Sequence, residues 1–154
     1  MDRGVDYYEI QKLLYRYCYH LDRGDFEQMA ALFDEARLIM PGGGVVERDP
    51  AAIVAIYREY TRIYPDTGTP KTRHMVGNPI IDLDDSGTSA VCHSYIVVFQ
   101  GTDVLSLQPV IAGHNLDRFV KTDGKWRYEE REIVSELFGD LSQHMLQPFG
   151  PARD

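Results

Sequence analysis

"TRHMVGNPIIDLDDSGTSAVCHSYIVVFQ", residues 72–100, decides the fold class. Two runs rich in β-branched and aromatic residues flank "LDDSG", a short Asp/Gly turn signal, so the spacing predicts an antiparallel hairpin. Two more extended segments follow, "LQPVIAGHNLDRFVK" and "KWRYEEREIVSEL", and "KTDG" between them is a second hairpin signal. The second half therefore reads as a four-strand antiparallel meander. Upstream the period changes. From about Tyr7 to Leu21, apolar residues fall at Ile10, Leu13, Leu14, Tyr17, Cys18 and Leu21, which is helical spacing. Gly24 breaks that helix, and Asp25 is placed to cap a short second one, "FEQMAALF". "ARLIM" and "VVE" read as short strands around a "PGGG" turn. Asp49 and Pro50 then read as the cap and first position of a helix running to about Ile63.

Helices followed by a meander predict an α+β fold, with helices packed on one face of a curved antiparallel sheet. The chain has 154 residues, enough for one core, and shows no repeat, low-complexity segment or domain boundary, so one domain over 1–154 is expected. The tail, about 136–154, has no clear periodicity. Its apolar residues predict a segment that folds back as a lid.

A formal net charge of −8 argues against nucleic-acid and anionic-membrane partners, because both need basic patches. Two cysteines, Cys18 and Cys92, are too few for a disulfide framework and read as reduced core thiols. The first residues carry no apolar run of signal type, and no stretch approaches the ~20 apolar residues of a membrane span; a cytoplasmic protein is expected. The histidines show no HxH or HExxH spacing, so no metal site is expected. "PGGG" lacks the surroundings of a phosphate loop, and Ser94 and Ser106 lack a nucleophile elbow.

The chemistry lies in "TRHMVGNPII". Strand alternation puts His74, Val76, Asn78 and Ile80 on one face, and that face is mostly apolar, so His74 and Asn78 are expected to point inward. A buried histidine needs a polar partner. Asp22, at the end of the aromatic-rich first helix "YRYCYHLD", could supply one. A carboxylate on one imidazole nitrogen fixes the tautomer and leaves the other nitrogen to accept a proton. On the next strand, Ala90, Cys92, Ser94 and Ile96 share a face; if that face lines the pocket, His93 lies behind the sheet.

"YRYCYHLDRGDFEQMAALF", "TRHMVGNPIIDLDDSGTSAVCHSY" and "AGHNLDRFVKTDGKWRYEEREI", in that order, resemble the SnoaL-like branch of the superfamily named after nuclear transport factor two. The resemblance runs from about Tyr8 to Met145. It implies a cone-shaped α+β fold, its sheet wrapped around helices and a deep apolar pocket. Members include polyketide cyclases, scytalone and bile-acid dehydratases and a hexachlorocyclohexane dehydrochlorinase, and the same fold forms the small subunit of ring-hydroxylating dioxygenases. The resemblance implies that Asp22 and His74 pair as a dyad, that Tyr17 contacts substrate, and that Arg131 on the last strand assists. Asn115 stands where many relatives carry a tyrosine. Asn78, Ser94 and Phe33 are the expected substrate contacts.

Two functions of different class follow. One is a cofactor-independent dehydratase, isomerase or cyclase that abstracts a proton from an apolar cyclic or aromatic molecule. The other is a non-catalytic binding module or small dioxygenase subunit. A sheet with one face on helices leaves the other to bury, so a homodimer or homotrimer is expected.

Overall fold

The computed structural model describes residues 2–150. Helix α1 spans Arg3–Arg23. The Asp2 carboxylate caps it, accepting from the Gly4 and Val5 amides at 3.0 and 3.4 Å. Its buried stripe, Ile10, Leu14, Tyr17, Cys18 and Leu21, recurs at helical spacing and faces the sheet. Gly24 ends the helix at φ 73°, a left-handed conformation. A side chain there would meet the Gly68 carbonyl oxygen at 2.6 Å. That close approach fixes where the last turn of α1, carrying Asp22, meets the chain leading into the sheet.

Helix α2 (Phe26–Ala31) and helix α3 (Pro50–Tyr60) pack on each other. The Asp49 side chain caps α3 through the Ala52 amide at 3.0 Å, and Pro50 opens it. Asp25 stands at the N-cap position of α2, but its carboxylate takes no amide there; Arg23 occupies it instead.

Six strands form the sheet: β1 (Arg37–Ile39), β2 (Val45–Glu47), β3 (Thr72–Leu83), β4 (Ser89–Gln100), β5 (Gln108–Thr122) and β6 (Lys125–Phe138). Their order is β2-β1-β6-β5-β4-β3. β3 to β6 form the expected antiparallel meander, whereas β1 joins β6 in parallel. Asp123 and Gly124, at φ 51° and 75°, turn the β5–β6 hairpin as the Asp-Gly signal requires. The sheet is curved and unclosed, and register shifts within β3, β4, β5 and β6 break its ladders.

One shift overturns an expectation. Asn78 adopts φ 49° and Pro79 has no amide hydrogen to donate, so β3 bulges between Gly77 and Ile80. Facing reverses there. His74 and Val76 point inward, Asn78 and Ile80 are exposed, and Ile81 and Leu83 pack against the core. Asn78 is therefore on the outside, not in the pocket.

Candidate active site

Asp22 and His74 meet. The His74 Nδ1 lies 2.6 Å from Asp22 Oδ1. The other carboxylate oxygen accepts the His74 backbone N–H at 2.8 Å, and the Thr72 hydroxyl donates to Oδ1 at 2.8 Å. Side chain and backbone of one histidine are thus tied to one carboxylate, which sets both the position and the angle of the ring. Burial alone would raise the Asp22 carboxyl, but the hydrogen bonds and charge of His74 outweigh it and hold it below the usual aspartate value. An ionised Asp22 requires the proton on Nδ1. In the neutral ring the lone pair is then on Nε2, and no hydrogen bond among the described residues occupies that nitrogen.

His74 lines a cavity of about 790 Å³, within the range of small-molecule sites. Leu21, Phe26, Ile56, Ile96, Val98, Ile111 and Ile133 give it apolar walls. Tyr17, Tyr57, His74, Asn115, Ser135 and His144 are polar points of its wall, and Glu59, Tyr60 and Thr61 add polar groups at the end of α3. The β1–β2 turn, through Pro41, Gly42 and Gly44, and the tail, through Met145, Pro148, Phe149 and Gly150, also line it. The tail thus folds back onto the cavity, although β6 continues to Phe138 before it begins; residues 151–154 lie outside the described residues.

Tyr17 reaches the cavity and pairs with Tyr57 from α3, hydroxyl to hydroxyl, at 2.7 Å. Burial raises both phenols, Tyr17 well above its ordinary value, so each keeps its proton; one O–H is spent within the pair and the other is left to donate into the cavity. Arg131 points inward but stops short of the cavity. It is fully buried and forks onto Asp117, Nε to Oδ1 at 2.6 Å and Nη2 to Oδ2 at 2.8 Å. Its guanidinium lies 4.3 Å from the Tyr17 ring centre and 4.9 Å from that of Tyr128. Burial disfavours the charge, yet the Asp117 carboxylate more than restores it, and Arg131 stays a cation.

Two expected substrate contacts lie elsewhere. Phe33 is wholly buried behind Tyr17, edge-on at 5.8 Å, in the core rather than the cavity wall. Ser94 faces inward, directly opposite Asn115 on β5, but sits beneath the cavity lining with its hydroxyl unpaired. As alternation required, His93 is exposed while Ala90, Cys92, Ser94 and Ile96 are buried.

Three contributors escaped the sequence reading. Tyr57 carried a usable signal, since it shares the inward face of α3 with Ile53, Ile56 and Tyr60. Thr72 precedes His74 by two positions and so shares its strand face. His144 carried none, because the tail has no period to place it. Among the described residues, no group of three or more His, Cys, Asp and Glu side chains is arranged to hold a metal ion.

A family model for the SnoaL-like domain matches residues 3–132. The chain belongs to the SnoaL-like domain family. Solved structures agree on the fold of this SnoaL-like domain. A protein from Novosphingobium aromaticivorans provisionally named a scytalone dehydratase is 26% identical, covering 98% of this chain and 97% of its own, with a TM-score of 0.69. A second protein from that organism, provisionally named the β subunit of an aromatic-ring-hydroxylating dioxygenase, is 21% identical over 90% of this chain and 94% of its own, at a TM-score of 0.67. A third, described as NTF2-like with a cystatin-like fold, is 23% identical over 84% and 81%, at 0.66. No curated protein matches the chain. Within the SnoaL-like fold, Asp22 comes from the end of α1 and His74 from β3, the edge strand that α1 packs against.

Proposed function

We propose that this SnoaL-like domain is a cofactor-independent acid/base enzyme acting on an apolar cyclic or aromatic small molecule, a dehydratase before an isomerase or cyclase. The observation that carries this is the 2.6 Å Asp22–His74 contact, with the free Nε2 on a largely apolar cavity. In this reading Nε2 removes a proton from a carbon beside a carbonyl. The C–H electrons form a carbon–carbon double bond, and the carbonyl electrons move onto oxygen. Asp22, already ionised, stabilises the imidazolium without itself taking the proton. One phenol of the Tyr17–Tyr57 pair donates to the other, and the second donates its O–H to the developing oxyanion; Arg131 acts through Tyr17 as a positioning residue. In a dehydratase, collapse of the enolate expels a hydroxyl from the next carbon, which leaves as water with the proton taken by His74. A positioned base supplies roughly 10²–10⁴-fold. Orientation and oxyanion stabilisation in a water-poor cavity supply the remainder.

The likeness to a dioxygenase β subunit keeps a second reading, a structural subunit or non-catalytic binding module. The two separate on His74→Ala. Loss of water elimination from a panel of hydroxylated cyclic ketones, followed by enone absorbance, with an unchanged melting temperature, supports the enzyme. Co-purification of a large oxygenase subunit, with no turnover by wild type, supports the alternative. We further propose a cytoplasmic homodimer or homotrimer; no described helix is long and apolar enough to cross a membrane.

A further inference from the structure

His144 is a titratable group of the cavity that the dyad chemistry leaves unused. It sits on the tail, is only 6% exposed, and lines the same cavity as His74. Its Nδ1 is buried with no hydrogen-bond partner, and nothing among the described residues bonds its Nε2. A histidine kept only for packing would be replaceable by an apolar side chain, and a histidine kept for structure would bond something.

The backbone around it is tied down on both sides. The His144 N–H donates to the Leu141 carbonyl at 3.0 Å, and its own carbonyl accepts from the Arg62 amide at 2.9 Å. The preceding Gln143 carbonyl accepts from the Tyr64 hydroxyl at 2.7 Å and the Gln100 amide at 2.9 Å. Leu146 N–H donates to the Tyr60 carbonyl at 2.8 Å, and Met145 bridges Thr61. Polar bonding is thus complete for the backbone and withheld from the ring. Burial, then the charge of nearby His74, partly opposed by Asp22, pushes the ring down to about 4. At neutral pH it is an uncharged imidazole, with one donor and one acceptor nitrogen.

We infer that His144 is a substrate-contacting residue: its imidazole hydrogen-bonds an oxygen on the bound ring and so sets which carbon is presented to His74. The inference deepens the proposed function, since it gives the substrate class an oxygen that reaches the tail side of the cavity. A purely hydrocarbon ligand leaves that imidazole unpaired. A phenol or cyclic alcohol satisfies it, as donor or acceptor. His144 keeps its proton throughout, so the base remains His74.

The test uses the full chain and two probes that differ by one hydroxyl, 2-naphthol and naphthalene. Their dissociation constants are measured for wild type, His144→Leu, His144→Gln and His74→Ala. In parallel, protein labelled with ¹⁵N-histidine is titrated with each probe. We expect wild type to prefer 2-naphthol at least ~10-fold, and the ring nitrogens of His144 to shift with 2-naphthol but not with naphthalene. His144→Leu should bring the ratio to within ~2-fold of unity, His144→Gln should restore part of it, and His74→Ala should retain it. His144 resonances unmoved by 2-naphthol would overturn the inference, even where His144→Leu does not fold. So would a preference that survives in folded His144→Leu, or one lost only in His74→Ala. All these readouts are of binding, so they stand apart from failure of the base reading, which appears as turnover that is independent of His74.

Discussion

Asp22 does three jobs with two oxygens: it accepts the His74 ring, the His74 backbone and the Thr72 hydroxyl. Asp22→Asn keeps the shape but removes the charge that stabilises the imidazolium, and its amide can no longer accept at both positions. Turnover should fall by about 10²-fold or more, chiefly in kcat, while the melting temperature drops only modestly. Unchanged steady-state kinetics in that variant would remove the dyad from the account. Arg131 and Asp117 pose a different question, because neither lines the cavity. Asp117→Ala strands a buried guanidinium and should cost about 3–5 kcal/mol in urea unfolding, whereas replacing both with apolar residues should recover most of that loss. His144 makes stability depend on pH. Its folded value of about 4 lies below the 6.5 of an ordinary histidine, so the unfolded chain binds a proton that the native ring, facing His74 and Asp22, refuses. Stability should therefore fall by about 3 kcal/mol as pH drops from 6.5 to 4, and His144→Leu should flatten that slope. Asp22, held below 3.8, adds its own loss only at still lower pH. The meeting of Asp22 and His74 was legible in the sequence because strand parity and a helix end are local signals. The Arg131–Asp117 pair was not, because its two members are brought together only by the β5–β6 register.

Among the elements, the four long strands and three helices were legible, since their periods and caps are written locally. What escaped was the defects. The bulge is marked only by "GNP", a breaker signal inside an otherwise regular strand pattern, and it moved Asn78 from the predicted wall to the outer face. Gly113 marks a second irregularity. A Cβ there would lie 1.9 Å from the Val134 carbonyl oxygen, where β5 and β6 shift register between Ala112 and Gly113. Ser135 and Phe138, on either side of that shift, both line the cavity, so the strand's irregularity shapes the site. Gly113→Ala should destabilise by about 2 kcal/mol or more, read as a lower urea midpoint with unchanged slope. An unperturbed midpoint would mean that β6 can move aside freely.

At the scale of the molecule, helices fill one face of the sheet while the other carries Met75, Ile80, Tyr95 and Leu137, each more than half exposed. Apolar exposure of that kind on a sheet face favours association. Light scattering after gel filtration should return two or three times the 17.6 kDa chain mass, and a monomer across micromolar concentrations would contradict that expectation. The cavity was foreseen as an apolar pocket carrying His74 and Tyr17, but Tyr57 and His144 were not placed in it, because they come from α3 and the tail and converge with the rest only in three dimensions. The central claim is that His74 removes a carbon-bound proton inside this cavity. The most direct measurement is NMR of deuterium wash-in at the α-carbon of a panel of cyclic ketones, including 1-tetralone, 2-tetralone and 2-decalone, in D₂O. Wild type should accelerate exchange in at least one member, at a single stereochemical position, and His74→Ala should return it to the buffer rate. Exchange that persists in folded His74→Ala, or that is absent from wild type across the panel, would contradict the account.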